Sequence, residues 1–248
     1  MFCGRKNGIW RTSVLTVFLL GLVLVPWVSS AQEDKKDDGP IKTAAPQAEK
    51  EPLEPLKIEL PEPFFGGTPL DYWGAHLEPE SYKDRPPFLA PKGTTIVSRG
   101  KAVTSSIPPQ LGDLKQVVDG DKEYGKSSLV ELGPGTQWVQ VDLGAEHEIY
   151  AILLWHFHEG KRVYFDVIVQ ASSDPEFKKD VTTLYNNDYD NTSGLGVGSD
   201  KEYIENNQGR LIDGKGVKAR YIRCYSNGNT ANDNNHYVEI EVWGRPVK

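Results

Sequence analysis

The sequence predicts an all-β fold, one antiparallel sandwich, and three observations predict it. Short runs in which apolar and polar residues alternate recur from about Thr94 onward, each bounded by Gly, Asn or Asp turn residues. No helical period outlasts a turn or two. About 150 residues of such strands suit a single core.

Three segments precede the sandwich. Residues 1–31 carry Arg5, Lys6 and Arg11, an apolar run from Val14 to Val25, and Ser29-Ser30-Ala31 before the polar Gln32-Glu33-Asp34. This is the pattern of a secretory signal peptide. The run is shorter than the ~20 residues that a membrane-crossing helix needs, so export without a transmembrane segment is expected, to a secreted, periplasmic or cell-surface location. Removing the leader takes the formal charge from −7 to −10. That excess argues against nucleic acid and anionic lipid as partners. It also leaves Cys224 as the one cysteine of the exported chain, expected to be a buried structural thiol in a strand.

Residues 32–62 are Lys, Glu, Asp, Pro and Ala with little aromatic or β-branched content, which predicts a disordered or polyproline-like tether. Residues 63–95 change character. Phe64-Phe65-Gly66-Gly67, Tyr72-Trp73-Gly74 and Phe88-Leu89 stand among six prolines without a period, as in an arm that docks on the domain.

Within the domain, 96–248, the strands follow in order. Trp138–Gly144 places Val139, Val141 and Leu143 on one face. Ala151–Trp155 is continuously apolar, as expected of a strand covered on both sides. Val163–Gln170 alternates with Phe165, Val167 and Val169 together. Val217–Tyr225 and Tyr237–Trp243 complete the set, the latter with Val238, Ile240 and Val242 inward.

Five segments then stand in a suggestive order: Val118-Asp119-Gly120-Asp121, Trp138–Gly144, Phe165–Asp174, Ala219-Arg220-Tyr221-Ile222-Arg223 and Val238–Gly244. Together, over roughly residues 95–246, they resemble the discoidin, or coagulation-factor type C, galactose-binding-like superfamily, which includes the family 32 carbohydrate-binding modules. The resemblance implies a discoidin-like jelly-roll with ligand loops at one end and often a structural calcium ion; members bind galactosides, other glycans, phospholipid head groups or proteins. The chain departs from it in lacking a disulfide between the domain ends and in a long insertion over about 186–215.

Candidate site residues fall in four groups. Asp119-Gly120-Asp121 with Ser127 and Ser128 is an oxygen-rich turn of the kind calcium uses, or simply a tight turn with solvated acids. The resemblance implies that Glu239, at the start of the last strand, closes such a site. Calcium is accordingly expected at Asp119, Asp121, Ser127 and Glu239. Asn186–Asn191, with Asp188 and Asp190, reads either as a partial metal loop or as Asx turns, since the EF-hand spacing is absent. His156 and His158, two apart on a strand, should point the same way and contact a ligand. The amide-rich loop 226–236 offers Asn227, Asn229 and His236 for sugar hydroxyls, with Tyr189 as an aromatic cover. If the strands are strictly antiparallel, the loops at 156–162, 187–200 and 226–236 share one rim.

The function expected is therefore an exported, non-catalytic binding module for a glycan or cell-surface polymer, or alternatively for a surface protein. An exposed aromatic beside the amide loop (Tyr189, Phe157 or Trp155) favours sugar, and a flat apolar patch favours protein. No nucleophile elbow, zinc-helix signature or nucleotide loop frames the carboxylates and histidines. A glycosidase acid pair drawn from Asp188, Asp190 and Glu159 is the enzymatic alternative.

Overall fold

The computed structural model describes residues 51–64, 72–79, 81, 83–123 and 125–247. The leader over 1–31 and the first part of the tether lie outside the described residues.

Ten strands follow one another: β1 Leu53–Pro55, β2 Leu89–Pro91, β3 Thr95–Ile96, β4 Ala102–Ser105, β5 Val130–Leu132, β6 Gln137–His156, β7 Ile168–Ser172, β8 Thr182–Asn186, β9 Arg210–Ser226 and β10 Asn235–Pro246. Two short 3-10 turns, Leu114–Val118 and Lys126–Ser128, are the only helical elements among the described residues. β1 and β2 form a ribbon of their own. The remaining strands make one antiparallel sheet in the order β3-β10-β6-β9-β7-β8, with β4 against β6 and β5 against β10. The fold is a discoidin-like β-sandwich.

Two stretches read as separate strands, Trp138–Gly144 and Ala151–Trp155, are halves of β6. The first half lies between β4 and β9, the second between β10 and β9. The strand changes neighbours across an irregularity between Asp142 and His147, where Gly144 takes φ 83°. Only glycine adopts that geometry without steric cost.

The main core gathers Val139, Val141, Leu143, Ile152, Leu154, Val167, Val169, Ile222, Ile240 and Val242, all fully buried. A second cluster lies on the other face of β6: Ala151, Leu153, Trp155, Phe157, Val238 and Trp243, with Leu56, Ile58, Phe88 and Ile96 packed on it. The apolar run of β6 is thus covered on both faces, and the cover on the second comes from the segment ahead of the sandwich. Residues 51–62, read from sequence as the end of a disordered tether, instead lie on the domain. Leu53 to Pro55 pair with Pro91 to Leu89, Lys122 Nζ donates to Glu59 O at 2.6 Å, and Asn207 Nδ2 to Pro61 O at 3.0 Å. Composition concealed this because two apolar side chains, Leu56 and Ile58, and an edge-strand pair suffice when a ready apolar face awaits them.

Two further corrections concern phase. Asp166 sits at φ 49° and breaks the 163–170 alternation, so Val167 and Val169 enter the core while Phe165 packs at the surface on Tyr72. A bulge between Tyr237 and Glu239 turns Val238 to the second cluster, leaving Ile240 and Val242 inward. Of the apparent insertion at 186–215, Arg210 onward is strand β9, paired with the second half of β6.

Candidate functional site

The loops 157–167, 187–209 and 227–234 meet at one end of the sandwich. Val163 bridges Ile204 and Tyr164 bridges Asn229. Asp166 Oδ2 accepts both Asn227 Nδ2 and Thr192 Oγ1, at 2.8 and 2.7 Å. The rim inferred from strand parity therefore exists, with an arm laid along it. Tyr72 Oη donates to both carboxylate oxygens of Glu202, Glu202 N donates to His76 O, and Glu78 chelates Arg210 Nη1 with both oxygens at 2.9 Å. Burial pushes the Glu202 carboxyl up. Burial, then the Glu202 hydrogen bond, raises the Tyr72 hydroxyl.

Four of the six predicted ligand residues face inward. His156 is fully buried; its ring stacks on Tyr164 at 4.3 Å and its Nδ1 lies 2.6 Å from Glu205 Oε1. His158 turns elsewhere, its Nε2 2.9 Å from Lys122 O, because β6 ends at His156 and strand alternation no longer governs the next residues. The two histidines are not a pair. His236 is buried between the Tyr164 hydroxyl on Nδ1 and Glu131 Oε2 on Nε2, both at 2.9 Å; burial, reinforced by Arg162, holds its pKa below the ordinary value. Asn229 is buried and spans its own loop, donating to Asn232 Oδ1 and Asn234 O and accepting from Ala231 N. Asn227 is half-buried on Asp166.

Tyr189 is different. It is 42% exposed, and one face of its ring lies on His76 at 3.8 Å with the planes 5° apart. The other two aromatics considered as platforms, Trp155 and Phe157, belong to the second apolar cluster. Trp155 donates Nε1 to Asn207 O, and Gly209, at φ 60°, presses on its ring so closely that a Cβ there would lie 2.6 Å from it.

Sequence reasoning missed Glu205, Glu131, Tyr164 and Asp166. Glu205 stands 49 residues from its partner His156, and no local spacing joins them. Asp166 lies within 4.8 Å of Asp188 and Asp190, the one such metal-type group among the described residues. Four of the group's six carboxylate oxygens accept hydrogen bonds: Asp188 accepts Thr192 N and Ser193 N at 3.0 Å, Asp190 Oδ1 accepts Thr192 N, and Asp166 Oδ2 holds the two side chains named above. This is the Asx-turn reading of the 186–191 run.

At the opposite side of β10, Glu239 is fully buried. Its Oε2 accepts Gly120 N at 3.1 Å and its Oε1 has no partner. Burial, with smaller contributions from Glu241 and Asp119, pushes its pKa up to about 7. An orphaned buried carboxylate oxygen beside two further acids is donor chemistry that fits calcium. The remaining expected ligands also serve the turn's own hydrogen bonds. Asp119 Oδ1 accepts Asp121 N; Asp121 accepts Glu123 N and Ser128 Oγ; Ser127 is exposed, so Ser128 is the hydroxyl the turn uses. Arg99 lies over Gly120 with Nη1 2.7 Å from Asp119 O, and Lys122 Nζ lies 2.9 Å from Glu241. Protein cations thus already reach this corner.

The model of the F5/F8 type C family described as a NedA-like galactose-binding domain matches residues 116–224. That match overlaps four of the five segments read from sequence. The chain resembles the galactose-binding modules. Among solved structures it is similar to the family 89 glycoside hydrolase of Clostridium perfringens (21% identity, TM-score 0.47), over 61% of this chain and 15% of that one. It is similar to the CBM32 of AlyQ, solved with 4,5-unsaturated mannuronic acid (22%, TM-score 0.39), over 60% of this chain and 95% of that module. A third is the chitosan-binding module 1 from a chitosanase/glucanase of Paenibacillus sp. IK-5 (19%, TM-score 0.41), over 60% and 99%. The chain therefore spans a small part of the hydrolase and nearly all of the two modules. No curated protein matches it.

Proposed function

We propose that this protein is an exported, non-catalytic module that holds a glycan at the loop end of the sandwich. The observation that carries the reading is Tyr189: a half-exposed ring, braced from behind by His76, at a rim furnished with Asn, Asp and Thr side chains. A sugar ring needs an apolar face to lie on and polar groups at its edge; Tyr189 supplies the face and the exposed Asp190 beside it an acceptor. The two imidazole–carboxylate couples, His156–Glu205 and His236–Glu131, support a binding role over a hydrolytic one. His156–Glu205 is fully buried beside Tyr164, out of a substrate's reach, and in the second couple the imidazole is buried while Glu131 is only partly so.

A calcium ion would be held by Glu239 with Asp119 and Asp121, and would supply positive charge to a buried carboxylate at the foot of β10. Among the described residues no helix is long and apolar enough to cross a membrane. A surface protein is the second reading, favoured by Trp73, which is 81% exposed on the arm.

The test is a glycan array probed with the chain from residue 32, followed by titration of Tyr189→Ala. Binding that falls by about tenfold or more in the variant supports the rim, since loss of a stacking ring is worth about 1 kcal/mol or more. An array with no binding at all, together with capture of a defined surface protein that depends on Trp73, overturns the glycan reading.

A further inference from the structure

A short stretch of chain seats the arm on the rim. Glu78 N donates to Glu202 O and Glu202 N to His76 O, both at 2.9 Å, and Lys201 Nζ donates to Ala75 O at 2.6 Å. Tyr72 and His76 both spend their side chains on the domain: Tyr72 bonds Glu202 and packs on Phe165 at 5.7 Å, and His76 lies flat on Tyr189. Trp73, in the chain between them, is left 81% exposed. Its neighbours are tied down, so the exposure follows from the direction of the side chain and not from a loose segment.

Trp73 is three positions from His76, so their Cα atoms are at most about 11 Å apart. The turn closed by Leu77 N on Gly74 O, at 3.3 Å, bends the chain between them and draws the two closer. His76 in turn touches the Tyr189 ring. The rim therefore carries two exposed aromatic rings near one another, Tyr189 from the domain and Trp73 from the arm. An indole offers a broad flat face and a donor N–H at its edge. The exposed residues beside the two rings in the chain, Gly74 and Ala75 after Trp73 and Asp190 after Tyr189, are small or polar. Two rings set apart in this way suit successive sugars better than the continuous apolar patch of a protein contact. We propose that Trp73 is a second sugar platform beside Tyr189, and that the rim takes an internal stretch of a glycan chain, several linked sugars long, rather than one terminal sugar. The proposal rests on the glycan-binding reading above and names the form of the ligand. It also gives the arm a purpose, because Trp73 lies outside the residues, 116–224, that match the galactose-binding family.

Calorimetric titration of the chain from residue 32 tests this with four ladders, of galactose, mannose, glucosamine and mannuronate, each as mono-, di-, tetra- and hexasaccharide. In a ladder that binds, the hexasaccharide is expected to hold at least about tenfold more tightly than the monosaccharide, since one more stacked ring is worth roughly a factor of ten. Trp73→Ala should remove that gain, so that the four lengths bind alike, and its melting temperature should match the parent's because the side chain is exposed. Trp73→Phe, which keeps a ring, should restore most of the gain. Tyr189→Ala should weaken every length. A hexasaccharide no tighter than the monosaccharide, or a Trp73→Ala variant that keeps the parent's dependence on length, overturns the proposal while the glycan-binding reading stands. Absence of binding to every ladder, and to the array as well, removes the glycan reading itself and the proposal with it.

Discussion

Glu239→Gln should remove a pH dependence of stability that the parent protein carries. The parent carboxyl has its pKa raised from 4.5 to about 7, chiefly because the folded state strips it of water. A raised acid binds a proton more readily in the folded than in the unfolded state. Its stabilising contribution is therefore complete below about pH 4.5 and lost as pH rises through about 7, above which the curve is flat. At ~1.36 kcal/mol per pH unit, the interval is worth about 3 kcal/mol. Arg99, Glu241 and Asp119 act on the group and remain in both proteins, so the difference between parent and variant isolates Glu239. The glutamine still offers an oxygen to Gly120 N. Urea denaturation followed by tryptophan fluorescence at pH 5, 6, 7 and 8 supplies the curves. The variant is expected to gain on the parent by about 2 to 3 kcal/mol between pH 5 and 8. A difference that stays constant with pH refutes the assignment of a buried, nearly neutral carboxyl. Calcium sharpens the test: an ion bound at Glu239 stabilises the parent at pH 8 by mass action and leaves the variant unmoved.

Three other outcomes are expected. Gly209→Ala forces a Cβ against the Trp155 ring at a left-handed backbone position and should cost about 2 to 4 kcal/mol, read from the urea midpoint; a neutral result would mean that Trp155 moves freely. Starting the chain after residue 62 uncovers Trp155, Leu153 and Trp243, and should lower stability by about 2 to 4 kcal/mol and raise the binding of a hydrophobic dye; an unchanged melting curve would show that 51–62 is dispensable. Cys224, fully buried and with its thiol pKa raised by burial, should resist thiol reagents in native buffer and react fully in denaturant; rapid native labelling would contradict its place in the core.

Much of the sandwich was legible in the sequence because alternation reports burial one strand at a time. Val139, Val141 and Leu143, or Ile240 and Val242, lie where their period puts them. The period fails where the backbone leaves strand geometry, at Asp166 with its positive φ and at the bulge before Glu239, and neither residue type announces this. The site was less legible. Polar loops were located correctly at one rim, yet polarity alone does not distinguish a side chain offered to a ligand from one spent on the loop's own backbone. Asn229 is spent on its own loop and His236 on the side chains of Tyr164 and Glu131, whereas Tyr189 is left exposed. Glu205 and Arg85 depend on partners 49 and 123 residues away, a relation that exists only in the fold.

The position of β10 has a consequence for the order of events in folding. It is the last strand of the sandwich along the chain, yet it lies inside the sheet between β3 and β6, and Ser98 at the start of the domain donates to Ile240 across 142 residues of sequence. Nothing ahead of it can complete the core, since Tyr237, Ile240 and Val242 fill its centre. Residues 235–246 must be available before the sheet can close, so the core stays incomplete until this last strand of the sandwich has been added. Such non-local closure is slow, and until it happens the apolar faces of the earlier strands stay uncovered.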